Sequence, residues 1–431
     1  MRVLLLGAYG LIGQSVARAL TKSGHHVVGL SRSPKARVLL PEKVSWVSGD
    51  LNQMLAPKDW LPLLEGVDAV VNASGALQTG SIDDLSKVQR DSILALIDAC
   101  QQKSVTRFVQ ISAPGADPQA STEFYATKGE ADTALRASQL DWVILKPGLV
   151  ISPTAYGGTS LLRMLAAVPE VQPIFLADAK IQTVAVDEVS RATVLALERY
   201  ALVKREFDLV EPEAQSLLAV VQDFRKWLGF PEPAAVVSVP ALVGHAVGRL
   251  ADVAGWFGWR SPLRTTALQV LSEGVRGDPE SWRDATGLEC GPLATTLDRL
   301  PSTRQERVFA RMQLVFAPLL IGFAAFWIVS GLIGLWQLAA ARDVVAGPLG
   351  PSLATTLVVF GGLADILVGV GLLFRRTFVL ACQAAIALSV GYMIAASLVV
   401  PALWADPLGP LVKILPVIGT AIALLASAEE R

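Results

Sequence analysis

Over the first 200 residues, short apolar runs alternate with stretches whose apolar positions recur at helical spacing. Residues 3–6 read as a strand and 11–23 as a helix. Strands follow at 27–30, 44–47 and 69–71. A helix at 93–102, a strand at 108–111, a helix at 122–138 and a strand at 142–145 complete the series. Strands and helices alternating at this spacing build βαβ units. The predicted fold is an α/β Rossmann-type doubly wound parallel sheet, with right-handed crossovers placing helices on both faces. The apolar start, Met1 to Leu6, is too short for a signal peptide and is broken by Gly7, Gly10 and Gly13; a buried first strand accounts for it.

The pattern changes after about residue 200, giving a division into a nucleotide-binding domain at 1–210, a cap or substrate region at 211–311 and a membrane domain at 312–431. In 240–257, Leu242, Ala246, Val253 and Phe257 fall on one side of a helix, and His245, Arg249 and Asp252 on another. That helix is amphipathic and too short to span a bilayer. It reads either as a cap over a cleft or as a helix lying on a membrane surface.

From Leu314 onward the charges almost vanish. Residues 314–341 and 378–400 contain none; 353–374 contains only Asp365, and 408–426 only Lys413. Each stretch is long enough to cross a hydrocarbon core of roughly 30 Å. Apolar on every face, they predict an all-α domain of four transmembrane helices. Arg304, Arg307 and Arg311 precede the first span and Arg375-Arg376 lie between the second and third, whereas the other loops hold Arg342-Asp343 and Asp406. The positive-inside rule then puts the Rossmann domain and both termini in the cytoplasm, with the chain multi-pass in the inner (cytoplasmic) membrane. Trp336 and Trp404 fall near the outer interface. Asp365, amid Gly361, Gly362, Gly369 and Gly371, is a candidate polar site, because a carboxylate in lipid must face the bundle interior.

Composition agrees. The 431 residues are 52% hydrophobic and 17% charged, with a mean hydropathy of +0.48, against about 25% charged in soluble domains. A net charge of −1 leaves no basic face for nucleic acid. Cys100, Cys290 and Cys382 and three histidines form no metal-ligand spacing.

The first strand runs into Gly7-Ala8-Tyr9-Gly10-Leu11-Ile12-Gly13 and then a helix. A pyrophosphate approaches such a turn because glycine has no Cβ, and the helix start offers free N–H groups. At the end of the second strand, where an NAD site usually carries an acid, the sequence is Leu30-Ser31-Arg32-Ser33, followed by Lys35 and Arg37. Arg32 can fork onto a 2′-phosphate, which favours NADP(H) over NAD(H). The alternative is an arginine on a solvated loop.

The glycine spacing, Asp50-Leu51, Asn72-Ala73-Ser74-Gly75, Pro147-Gly148 and Val186-Asp187-Glu188-Val189 together resemble an atypical or extended short-chain dehydrogenase/reductase. The NmrA-like group and the NAD(P)-binding accessory subunit of respiratory complex I are the nearest likeness, over about residues 1–300. The C-terminal quarter resembles the DoxX-like membrane domain. The resemblance implies a cofactor set of Gly7, Tyr9, Gly10, Leu11, Ile12, Gly13, Ser31, Arg32, Asp50, Leu51, Ala73, Gly75, Lys128 and Pro147. Asp50 and Leu51 would border the adenine, and Gly75 the adenosine ribose.

Active members of that family use a Ser, a Tyr and a Lys, the lysine lowering the tyrosine pKa and holding the nicotinamide ribose. Ser112 and Lys128 stand where the first and last are expected. The position four before Lys128 is Phe124; the tyrosine is Tyr125, three before. The two spacings differ by about 100° around a helix. Ser112, Tyr125 and Lys128 are therefore the candidate catalytic residues, with the tyrosine's direction open. Two functions follow: an NADP(H)-dependent oxidoreductase acting on an apolar small molecule such as a quinone, isoprenoid or lipid ketone, or a non-catalytic NADP(H)-binding sensor or scaffold of a membrane complex. The sequence names no protein partner.

Overall fold

A computed structural model describes residues 1–32, 44–76, 79–80, 84–259, 261 and 263–428. Lys35 and Arg37 lie outside the described residues. The chain divides into two compact units, Met1–Val253 with Ser261–Arg311, and Ala254–Arg260 with Met312–Arg431.

The first unit is built on a parallel sheet of seven strands. In chain order these are β1 (Arg2–Leu6), β2 (His26–Ser31), β3 (Val44–Ser48), β4 (Ala69–Asn72), β5 (Arg107–Ile111), β6 (Asp141–Pro147) and β7 (Arg205–Leu209). Their order across the sheet is β7-β6-β5-β4-β1-β2-β3. The winding reverses between β1 and β4, where Val3 pairs with Val27 on one side and Ala69 on the other. In such sheets ligands bind outside the carboxyl ends of the strands at that switch point.

Strand alternation fills both faces. Val3 and Leu5 join one core with Val16, Ala17 and Leu20 of α1 (Leu11–Lys22) and with Val189 and Ala192. Leu4 and Leu6 join the other with Trp60, Phe108 and the buried side of α2 (Ser92–Gln102). The expected strands and the helix at 93–102 sit inside these elements, mostly short by a residue or two, whereas the expected helices at 11–23 and 122–138 run one residue past observed ends at Lys22, Glu123 and Ala137. The strand β7 was not foreseen; its Phe207 and Leu209 are buried while Arg205, Glu206 and Asp208 face outward. The expected cap region is not a unit of its own. Leu217, Val220, Phe224, Leu293 and Leu297 share a core with Ile151, Leu162 and Ile174 from earlier in the chain.

α3 (Glu123–Ala137) and α4 (Val186–Glu198) follow β5 and the strand at Thr183–Ala185. Thr122 caps α3, its Oγ1 accepting from Tyr125 N, which satisfies a free N–H of the first turn. Further on, α5 (Ala241–Trp256) is the helix expected over 240–257, and α6 (Thr265–Glu273) follows it.

The second unit is helical: α7 (Arg304–Trp336), α8 (Leu338–Leu349), α9 (Pro351–Leu373), α10 (Phe378–Val399) and α11 (Ile414–Ala426), α7 beginning in the first unit. Among the described residues three helices, α7, α9 and α10, are long and apolar enough to cross a membrane. The expectation of four spans is thus corrected in its last member. The chain is in turns up to Lys413, and α11 has 13 residues, about 20 Å at 1.5 Å per residue, short of a roughly 30 Å core. The first span also ends earlier than expected, at Trp336, and α8 starts anew with the adjacent pair Arg342–Asp343 at its middle. Gly331 of α7 lies so near α9 that an added Cβ would stand 2.4 Å from Gly362 O, and at Gly369 one would stand 2.8 Å from Ala324 O. Glycine is what permits that approach.

Candidate nucleotide site

The site is assembled from strand ends. After β1 the chain turns at Gly7, whose φ of +69° suits glycine. A Cβ there would meet Ala73 O at 2.6 Å, so the turn lies hard against the end of β4. Gly10 N donates to Gly7 O at 2.8 Å. Gly13 is closed as well: a Cβ would fall 2.0 Å from Gly7 O. Gly10 differs, since its added Cβ would meet nothing nearer than Gly7 O at 3.2 Å. Gly10 is also the N-cap of α1 and makes no side-chain cap, so the first N–H groups of α1 are left for a ligand. A turn closed by backbone at two glycines and less crowded at the third fits a dinucleotide pyrophosphate. Tyr9, Leu11 and Ile12 are half-buried around it, with Tyr9 O accepting from Gln14 Nε2 at 2.7 Å.

On the β2 side, Ser31 is buried at the strand end and Arg32 follows. The Arg32 guanidinium lies 3.9 Å from Asp50 Oδ1, and that oxygen also accepts from Asn52 N and Nδ2 at 3.0 Å. The structure thus joins two residues expected separately, one for a 2′-phosphate and one for the adenine. Leu51 packs onto the core beneath. On the β4 side, Ala73 N donates to Leu6 O at 3.1 Å and the buried Asn72 accepts from Ser74 N at 3.0 Å. Gly75 is exposed there, an added Cβ standing 3.7 Å from Lys128 Nζ and 3.6 Å from Gln89 Nε2. Pro147, buried at the end of β6, lines the next strand end.

Lys128 of α3 is buried, and its Nζ donates to Ile111 O at 3.1 Å. Burial lowers its pKa, with Asp132 opposing. The Ser112 hydroxyl donates to Asp132 Oδ2. Asp132 is 0% exposed, and burial pushes its carboxyl up to about 6 against the Ser112 hydrogen bond and the Lys128 charge. Its second oxygen, Oδ1, is buried without a hydrogen-bond partner.

The tyrosine goes elsewhere. The ring of Phe124 is the one beside Lys128, with Nζ 5.8 Å from its centroid. Tyr125 packs against Gly115 and lines a cavity of about 510 Å³ with Pro114, Gln182, Glu273 and Arg276. Burial, and then the Glu273 charge, push its hydroxyl up to about 12. The expected Tyr–Lys pair is therefore not formed: with a spacing of three instead of four, the helix rotates the phenol onto another wall. Ser112 and Lys128 are brought together with Asp132, and Tyr125 is not.

Two residues escaped the sequence reading. Asp132 lies one helical turn after Lys128, and that spacing is the signal that could have found it. Gln89 is buried in a π-helical turn, Lys87–Asp91, a distortion common at functional sites. Its Nε2 donates to Ala76 O and its Oε1 accepts from Thr127. Among the described residues no cluster of three His, Cys, Asp or Glu could hold a metal.

In the second unit, Asp365 is buried and accepts from Tyr392 Oη at 2.7 Å, while that hydroxyl also reaches Gly361 O at 3.1 Å. It faces neighbouring helices, not the outer surface of the bundle.

Residues 7–164 match the NAD(P)H-binding family and residues 324–422 the DoxX-like family. The photosystem II assembly factor Ycf39 of Synechocystis is 32% identical over 34% of this chain and 44% of its own length. The ceramide reductase of Caulobacter vibrioides is 24% identical over 47% of this chain and 65% of its own. The chain thus spans less than two thirds of either relative. The Bordetella bronchiseptica enzyme WbmH, solved with NAD+, has the same fold over 69% of this chain and 96% of its own, with a TM-score of 0.52 at 17% identity. The chain therefore carries an NAD(P)H-binding domain with a Rossmann-type fold, fused to a DoxX-like domain.

Proposed function

We propose that this protein is a membrane-anchored, NADP(H)-dependent reductase of an apolar carbonyl compound, a quinone, isoprenoid or lipid ketone. The observation that carries the reading is the buried group of Ser112, Asp132 and Lys128 at the strand ends beside Gly75. Bound nicotinamide supplies the hydride that reduces the carbonyl carbon. Lys128 holds the ribose hydroxyls near Gly75. The Ser112 hydroxyl hydrogen-bonds the carbonyl oxygen and hands on the proton it needs. Asp132 stands behind Ser112, and a carboxyl held near 6 is protonated often enough to refill it. Phe124 gives the pocket an apolar wall suited to a lipid-like substrate. The membrane domain supports the same substrate class, as does the likeness to a protein named ceramide reductase. Arg32 favours NADPH by meeting its 2′-phosphate.

A second reading, a non-catalytic NADP(H)-binding sensor or assembly protein, is favoured by Phe124 standing where a tyrosine would donate a proton, and by the likeness to an assembly factor. Purified protein in lipid nanodiscs separates the two. NADPH should raise the melting temperature more than NADH, with Arg32→Ala removing the difference. Transfer of tritium from labelled NADPH to long-chain ketones or quinones should be lost in Ser112→Ala and retained in Tyr125→Phe. Binding of NADPH without transfer to any carbonyl in that panel would overturn the reductase and leave the sensor. Equal stabilisation by both nucleotides would overturn the NADPH preference.

A further inference from the structure

The amphipathic helix α5 is turned the opposite way from a core helix. Its buried stripe is Gly244, Gly248, Ala251 and Gly255. At Gly244 an added Cβ would stand 2.7 Å from the Phe175 ring, and at Gly248 3.1 Å from Leu268 of α6. Asp252 also faces inward, accepting from Arg264 Nε at 3.0 Å and Thr265 Oγ1 at 2.6 Å. The large apolar side chains are outside: Leu242 is 82% exposed, Leu250 71% and Trp256 87%, with Val243, Val247 and Val253 also exposed. The strand just before it, Ala235–Ser238, exposes Val236 and Val237. A soluble surface seldom carries so much contiguous apolar area.

The chain itself says what lies nearby. The end of α5 and the residues after it, Ala254–Arg260, belong to the compact unit of the membrane helices. Trp259 Nε1 donates to Leu373 O at 2.6 Å, and its ring packs on Phe316 and Phe378. Arg375 N donates to Phe257 O at 3.0 Å. Leu373 ends α9 and Phe378 begins α10, on either side of Arg375 and Arg376, while Phe316 lies within α7. Trp256 and Arg249 are exposed on α5, and tryptophan and arginine both favour the headgroup level.

We propose that α5 is an in-plane membrane helix whose outer face, Leu242, Leu250, Val253 and Trp256, lies in the lipid headgroup and upper acyl layer. This does not depend on the reductase reading. Its inner face is packed on α6, where Gln269 and Glu273 bond Ser121 and the neighbouring Arg264 bonds Thr79 O.

The test uses the full chain in nanodiscs of phosphatidylcholine with phosphatidylglycerol. Single cysteines replace Leu242, Leu250 or, as a control, Tyr200, which is 72% exposed. The native Cys100, Cys290 and Cys382 are buried. Each cysteine takes a nitroxide, and collisions with oxygen and with a water-soluble nickel chelate are compared. The expected result is an oxygen-to-nickel ratio severalfold higher at 242 and 250 than at 200. Equal ratios at all three positions would put the face in water and overturn the proposal. Shielding from both reagents with an immobilised label would put a second protein copy there and overturn it as well.

Discussion

Asp132 is a fully buried carboxyl with one partnered oxygen among the described residues, and its titration can be read in stability. Its pKa is raised from the ordinary 3.8 to about 6, so the folded chain holds the proton more tightly than the unfolded chain. A raised pKa contributes stability that is complete below the unfolded value and is lost as pH rises through the folded one. The loss should fall between about pH 4 and 6 and amount to the order of 2–3 kcal/mol at 1.36 kcal/mol per unit. Asp132→Asn keeps an acceptor for Ser112 and removes the titration. The variant's melting temperature should exceed the parent's by more at pH 8 than at pH 5; an equal difference at both would show that Asp132 is not buried as a charge. The one mark of this residue in the sequence is its place one turn past Lys128, which by itself looks like an ordinary solvated pair. Ser112 and Lys128 were legible, since their place after β5 and within α3 follows from the strand-and-helix series. The direction of Tyr125 was not, because one residue of spacing is a rotation whose consequence depends on what the helix packs against. Arg32 was legible as a cation at the end of β2, but its pairing with Asp50 is a contact between two strand ends far apart in sequence.

At the scale of elements, the turn from β1 into α1 combines two different uses of glycine. Gly13 is required by packing: Cβ would overlap Gly7 O. Gly10 is less crowded, its added Cβ standing 3.2 Å from Gly7 O. Gly13→Ala should therefore lower the melting temperature of the nucleotide unit without any nucleotide present. Gly10→Ala should lower that temperature less and shrink the rise caused by NADPH. If both variants lose only the NADPH-dependent rise, the packing account of Gly13 fails. Most elements of this unit could be read from the chain because β1, β2 and β4 to β6 are buried runs bounded by turns. The strand β7 hid because an edge strand alternates, and its Arg205, Glu206 and Asp208 obscured two apolar positions. Glu206 is held by Arg136 and Lys146, whose combined effect outweighs burial and pulls its carboxyl down to about 2. Charge on the edge is also what keeps another strand from pairing there. The shortening of the last membrane helix was equally hidden, since apolar residues in turns have the composition of a span.

At the scale of the whole molecule, an odd number of long spans would put the chain ends on opposite sides, and the geometry argues otherwise. Ala421 and Leu424 near the end of α11 share a core with Leu320 and Phe323 from the middle of α7, Leu372 at the end of α9 and Phe378 and Cys382 at the start of α10. The far end of α11 therefore stands level with the turn that carries Arg375 and Arg376. The turns at 405–413 carry the chain from the opposite end, where α10 stops at Val399, to the start of α11. α11 is too short to be a span by itself, and only turns and short helix together would make a fourth passage. The positive-inside rule predicts that the turn with Arg375 and Arg376 faces the cytoplasm, and with that passage the C-terminus is expected there too. In a bacterial host, green fluorescent protein fused after Arg431 should fluoresce, and alkaline phosphatase inserted at Asp406 should be active. Phosphatase activity from a fusion after Arg431, with none at Asp406, would mean that the bundle is inverted. Phosphatase activity at both sites would mean that α11 does not return, and that the apolar turns before it stay at the outer surface.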